Sequence, residues 1–186
     1  MIDIDDAGWG DMLDGIVLGF LRVESSAFIS KVMDVKFFQP PLFAEKAYLD
    51  EALRLAREAL GELAVDKSEE LRICTAPVLE RVRETLSADG YKVTPSKIVG
   101  ELQTRVEMAF IKRLEKLGVA ENTVPLDPGR ERFYVQLRWI HGNLARREKY
   151  VKTAYRSWKR WRLWKPREKP NIVRTARTQE EEWGPW

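Results

Sequence analysis

Apolar and polar positions alternate with a period near two over Ile2–Asp5 and Ala27–Phe38, on either side of an apolar run, and beyond residue 38 helical spacing takes over between short apolar runs. In Ile2–Asp5, Ile2 and Ile4 share one side of an extended chain and Asp3 and Asp5 the other. Gly15–Glu24 (GIVLGFLRVE) is dense in β-formers, and Ala27–Phe38 (AFISKVMDVKFF) alternates. Ser25-Ser26 leaves room between them only for a tight hairpin, and Pro40-Pro41 ends the run. From Phe43 to Leu63, the positions Ala44, Tyr48, Ala52, Leu55, Ala59 and Leu63 predict a helix. Leu71–Thr75 is a short apolar run predicting a buried strand, and Pro77–Asp89 predicts a helix that Gly90 stops. Tyr91–Thr94 predicts a further strand, which Lys97–Val99 extends past Pro95. Glu101–Leu117 predicts a helix with Leu102, Val106, Ala109, Phe110 and Leu114 on one face and Gly118 as its stop. The order is three strands, helix, strand, helix, strand, helix. An antiparallel meander joined by two parallel strands through right-handed helical crossovers satisfies it, so the predicted class is α/β with a mixed sheet.

Beyond a loop at 119–126, Asp127-Pro128 opens a predicted helix carrying Phe133, Leu137 and Ile140. Leu144–Trp164 predicts another, ended by Pro166 and Pro170. Three segments result: a core over 1–118, a basic helical extension over 119–166, and a tail over 167–186 whose composition predicts poor order without a partner.

Charge sharpens this division. Residues 1–129 hold 16 Lys/Arg against 23 Asp/Glu, whereas 130–177 hold 16 Lys/Arg against Glu131, Glu148 and Glu168 alone. Six of the seven tryptophans also lie beyond residue 130. The longest apolar stretch, near Ile16–Leu21, is far short of the roughly 20 residues that span a bilayer. The acidic opening lacks the basic start of a secretory leader, and the single cysteine, Cys74, cannot form an internal disulfide. The expected compartment is the cytoplasm, and the density of Lys, Arg and Glu would suit a thermophile.

Candidate chemistry begins at Asp3, Asp5 and Asp6, which lead into the turn Ala7-Gly8-Trp9-Gly10. Crowded carboxylates repel, and a bound Mg²⁺ or Mn²⁺ relieves that repulsion; two such ions roughly 4 Å apart support phosphodiester hydrolysis. The hexapeptide Asp5–Gly10 resembles the Asp-Glu-Ala-Gly-Arg-Gly segment of type 2 ribonucleases H, and the strand order is similar to that of the ribonuclease H-like superfamily. The resemblance implies a metal-ligand role for Asp5, with Asp6 at the glutamate position and Trp9 in place of the arginine. It also implies an acid on the last core helix, for which Glu101 and Glu107 are candidates, with Lys97 just upstream. It implies another acid after the fourth strand, but Arg72–Ala76 contains none, and Cys74 reads as an inert small apolar residue. The catalytic candidates are therefore Asp5, Asp6, Glu101 and Glu107, and the metal candidates Asp3, Asp5, Asp6 and Glu101. Competing readings of the same residues are a solvated strand end and a simple helix-dipole complement at Glu101.

The extension offers Arg146, Arg147, Lys152, Arg156, Lys159, Arg160, Arg162 and Lys165, interleaved with Trp158 and Trp161. Cations release counterions from phosphates, and flat aromatics stack on unpaired bases, so with Lys97 these residues are the predicted nucleic-acid contacts. A stripe of Tyr150, Ala154, Trp158 and Trp161 fits equally a helix that buries its aromatics and shows its cations. Residues 178–186 (TQEEEWGPW) resemble the acidic, Pro-aromatic tips by which single-strand DNA-binding proteins recruit partners. Together these features predict a nucleic-acid-binding protein, either a metal-dependent nuclease or a non-catalytic module of a nucleoprotein assembly.

Overall fold

The computed structural model describes residues 1–119 and 124–165. Five strands, β1 (Ile2–Ala7), β2 (Ile16–Arg22), β3 (Ala27–Met33), β4 (Glu70–Cys74) and β5 (Lys92–Ser96), form one open sheet in the order β3-β2-β1-β4-β5. β2 runs antiparallel to β1 and β3, while β1, β4 and β5 are parallel, so meander and crossovers form as the alternation predicts. Three helices connect or follow the parallel strands: α1 (Ala47–Glu62), α2 (Glu80–Ala88) and α3 (Glu101–Lys116). Among the described residues, no helix is long and apolar enough to cross a membrane.

Alternation sorts the side chains into two layers. Ile2, Ile4, Ile16, Leu18, Phe20 and Ile73 face α1 and α2, where they meet Ala52, Ala56, Val82 and Leu86 in the larger buried cluster. Ala7 and Val17, on the opposite face, meet Val106 and Phe110 of α3. Gly19 is required here, because a Cβ would stand 2.9 Å from Leu102 Cδ1 and 3.0 Å from Val106 Cβ. Pro95 is tolerated in β5 because that strand is an edge of the sheet.

Three elements differ from the sequence pattern. β5 runs through Pro95 and stops at Ser96, so Lys97–Val99 do not extend it. The third strand stops at Met33 rather than Phe38: Asp34 accepts from Lys36 N and starts a 3₁₀ turn over Val35–Phe38, which delivers Phe38 into the core. The single helix predicted over 144–164 is absent. Instead α4 (Arg130–Gly142) is followed by α5 (Leu144–Arg147), an extended passage, and α6 (Trp158–Trp161). Backbone partners elsewhere win that competition: Tyr150 O accepts from Asp14 N at 2.8 Å, Lys152 N donates to Met12 O at 2.9 Å, and Ala154 N donates to Phe38 O at 3.1 Å. Gln39 Nε2 also donates to Lys149 O and Val151 O, at 3.0 and 2.9 Å. The buried cluster under α3 therefore continues across residue 118, taking in Leu137, Ile140, Val151 and Trp158 beside Met12 and Leu13. The predicted tail, 167–186, lies outside the described residues.

Candidate functional site

Parallel pairing sets Ile4 of β1 opposite Ile73 of β4, so the two strands end at the same rim. Asp5 and Asp6 stand just before the last residue of β1 there, and Cys74 closes β4. One ligand atom from each of the three lies within 4.8 Å of the others. Asp5 is buried and Asp6 and Cys74 are half-buried. Gly8 turns the chain away just past them at φ 95°, where the Phe110 ring leaves no room for a Cβ.

Burial dominates the electrostatics of this rim. It raises the Asp5 pKa, with hydrogen bonds from the Cys74 thiol and the Asp6 backbone opposing and the Asp3 charge adding. Burial, reinforced by the Asp5 charge and opposed by Lys152, lifts Asp6 to about 7. The Cys74 thiol is pushed up to about 12 by burial and by its hydrogen bond to Asp5, so it is protonated at neutral pH and donates to that carboxylate.

Around the rim stands a buried ionic shell. Arg132 of α4 donates from Nε to Asp11 Oδ1 at 2.9 Å and from Nη1 to Glu107 Oε2 at 2.7 Å, bridging the loop after β1 to α3. Gln136, one helical turn on, donates to Asp11 and accepts from Met12 N and Leu13 N at 3.0 and 3.1 Å. Lys152 is 1% exposed, with Nζ donating to Gly8 O and lying 4.8 Å from the Phe38 ring centroid. Burial lowers its pKa to about 7 against the pull of Asp11, Asp6 and Asp14. Four carboxylates, Asp5, Asp6, Asp11 and Glu107, thus gather around two cationic side chains, Arg132 and Lys152.

The predicted carboxylates part company. Glu107 reaches the site, where burial raises its pKa, Arg132 opposes, and the charges of Asp11 and Asp5 add. Glu101 does not. It pairs with Arg105 at 2.6 Å and accepts from Ser26 Oγ at 3.4 Å, beside the β2–β3 turn. Since Arg22 pairs with Ile2, that turn lies at the opposite end of β1 from Asp5 and Asp6. Asp3 is held in a bidentate pair by Arg72, at 2.7 and 2.6 Å, and stands outside the three-residue group.

The basic residues also divide. Lys97 follows Ser96, the register partner of Cys74, and is exposed on the same rim. Arg146, Arg156, Lys159, Arg160, Arg162 and Lys165 are exposed, whereas Lys152 is inside the protein with no surface left to offer a phosphate. Trp158 is buried, its Nε1 donating to Glu148 Oε1 at 3.2 Å, and Arg162 donates to the same carboxylate at 2.6 Å. Trp161 packs edge-on against Phe133 at 4.9 Å. Arg147 lies half-buried with its guanidinium 4.3 Å from the Trp139 centroid, and Lys149 sits 4.9 Å from that of Tyr150. With Arg146 these residues line a surface hollow of about 590 Å³. Trp9, where the resembling motif has arginine, packs among Phe38, Tyr48 and Tyr155 and presents no cation.

Sequence reasoning missed Cys74, Asp11, Arg132, Gln136 and the inward course of Lys152. Only Cys74 left a signal, since a parallel partner strand had to end beside Asp5. Comparison with protein-family models, characterised proteins and solved structures finds no match to this chain.

Proposed function

We propose that this protein acts on nucleic acid through a ribonuclease H-like core, as a divalent-metal-dependent nuclease working in the reducing cytoplasm. The observation that carries the reading is the approach of Asp5, Asp6 and Cys74 within 4.8 Å at the rim of two parallel strands, with the charge of Glu107 on α3 felt by both carboxylates. The donor set fits a metal. The carboxylates Asp5 and Asp6 supply hard oxygen ligands, Cys74 can add a sulfur by giving up its proton to bind the ion, and the excess of carboxylates over cations suits a divalent ion. The sulfur favours Mn²⁺ over Mg²⁺ at this position. A bound ion of this kind lowers the pKa of water and steadies a leaving oxygen. Arg132 and Lys152 fix the approach of Asp11, Glu107 and the Gly8 turn. The exposed cations of 146–165, with Lys97 at the rim, supply the attraction for the phosphate backbone.

Titration of the protein with Mn²⁺, combined with cleavage assays on single- and double-stranded DNA and RNA, tests this. The expected result is metal binding and cleavage, with Asp5→Asn lowering the cleavage rate by about 10²-fold or more, the scale of losing a metal-supplied charge stabilisation of several kcal/mol. Absence of both binding and cleavage overturns the reading.

Two observations favour a second reading, a nucleic-acid-binding module without hydrolysis: Glu107 already accepts from Arg132 at 2.7 Å, and the fourth strand ends in a thiol rather than a carboxylate. Salt-sensitive nucleic-acid binding with no cleavage under any divalent ion decides for it.

A further inference from the structure

The sheet is unequally covered. On the face opposite α1 and α2, α3 lies over β1 and β2 and leaves most of β3 uncovered, so Ser30 and Val32 look out beside the helix while Phe28 is half-buried beneath Arg105. The resulting trough has a volume of about 530 Å³, and Val32 and Met108 on its walls are 39% and 47% exposed. Its charge is one-sided. Arg105, Lys112, Arg113 and Lys116 line it, and no carboxylate does. Arg105 and Arg113 are held by Glu101 and Asp14, while Lys112 and Lys116 have no ion-pair partner among the described residues. An apolar floor with a cationic wall selects a ligand that is acidic and aromatic at once.

The same chain contains such a ligand. Residues 178–186, TQEEEWGPW, place Glu180, Glu181 and Glu182 directly before Trp183, with Pro185 and Trp186 close behind. The intervening residues 166–177 span up to roughly 40 Å when extended, against a radius of gyration of roughly 16 Å for a chain of this length, so the trough is within reach. We propose that the β3–α3 trough is the docking site of this chain's own segment 178–186, with the three glutamates against Lys112 and Lys116 and a tryptophan on Phe28, Val32 and Met108. The inference stands apart from the proposed nuclease, because none of these residues belongs to the rim of Asp5, Asp6 and Cys74. Nucleic acid is the less favoured occupant: polyanions seek cations without needing the apolar floor, and the surface of 146–165 offers more of them.

Carbodiimide cross-linking of the intact protein at low concentration, read by mass spectrometry, tests the docking. The expected product is a monomer in which a lysine of the trough, Lys112 or Lys116, is joined to a glutamate of 180–182. Raising the salt concentration suppresses it. A fluorescent TQEEEWGPW peptide is expected to bind a full-length variant carrying Glu180→Gln, Glu181→Gln and Glu182→Gln more tightly than the wild type, whose own segment competes. Adding Lys112→Glu and Lys116→Glu, both at exposed positions, is expected to weaken that binding by about tenfold or more, corresponding to ~1.4 kcal/mol. Cross-links from the trough confined to dimers assign the site to a second copy and overturn the proposal. Cross-links from 180–182 to other lysines only, or peptide binding indifferent to the Lys112/Lys116 reversal, overturn it as well. So does protection of the trough lysines by an oligonucleotide with no glutamate cross-link, which assigns the trough to nucleic acid.

Discussion

Asp3 and Asp5 lie two residues apart on one strand and point to one face, yet their settings are opposite. β4 supplies Asp3 with the Arg72 guanidinium in a bidentate pair, and two residues further on it supplies Asp5 with the neutral thiol of Cys74. Both carboxylates are buried. At Asp3 a cation offsets the cost of burial; at Asp5 and Asp6 nothing of comparable strength does, and the proton affinity of both rises. A single change in the facing strand thus separates a structural ion pair from a rim that holds unbalanced negative charge.

The strongest way to break this contrast is to remove the cation that steadies the rim from behind. Arg132→Met leaves Asp11 and Glu107 without their shared partner inside the protein, and chemical denaturation is expected to show a loss of ~3–5 kcal/mol. Arg72→Ala acts on the paired half of the contrast. Asp3 is then buried without a donor, but Arg72 is 38% exposed and water reaches the gap, so the expected loss is smaller, ~1–3 kcal/mol.

The pH dependence of stability separates the two halves further. Asp6 takes up its proton in the folded protein near pH 7 and in the unfolded chain near 3.8. Between these values the folded state binds the extra proton, so this group's contribution to stability is fully present below about pH 3.8 and is lost as pH rises to 7. In chelator-treated buffer, the stability of Asp6→Asn relative to wild type is therefore expected to increase from pH 4.5 to 7 by at most roughly 1.4 kcal/mol per pH unit, and to level off above. Urea unfolding at three pH values in that interval reads the slope. A flat difference means that Asp6 is not under strain. The smallest expected effect is that of Cys74→Ser, a near-isosteric change at the rim. It is expected to shift unfolding by ~1 kcal/mol or less while moving preference in metal titrations from Mn²⁺ towards Mg²⁺.

The contrast also shows how far residues speak for themselves. Alternation in Ile2–Asp5 and Ala27–Phe38 and the β-former run of Gly15–Glu24 carry the first three strands, and Asp5-Asp6 before Gly8 marks a strand end. Arg132 and Lys152 were not legible: they reach Asp11 and Gly8 across 121 and 144 residues of chain, and a lone arginine or lysine in a basic segment carries no sign of facing inwards. The helical spacing of Tyr150, Ala154 and Trp158 misled for a related reason, since the carbonyls of Met12 and Phe38 supply the backbone partners that a helix would have provided. Glu101 and Glu107 share a helix, and only the placement of the β2–β3 turn separates the one that serves the rim from the one that does not.

A divalent ion held between the ends of β1 and β4 is visible directly in crystals of the protein soaked in Mn²⁺, through the anomalous signal of the metal. A peak in contact with carboxylate oxygens of both Asp5 and Asp6, and lost in Asp5→Asn, is the predicted result. An empty rim at saturating Mn²⁺, with the two carboxylates in their metal-free positions, contradicts it.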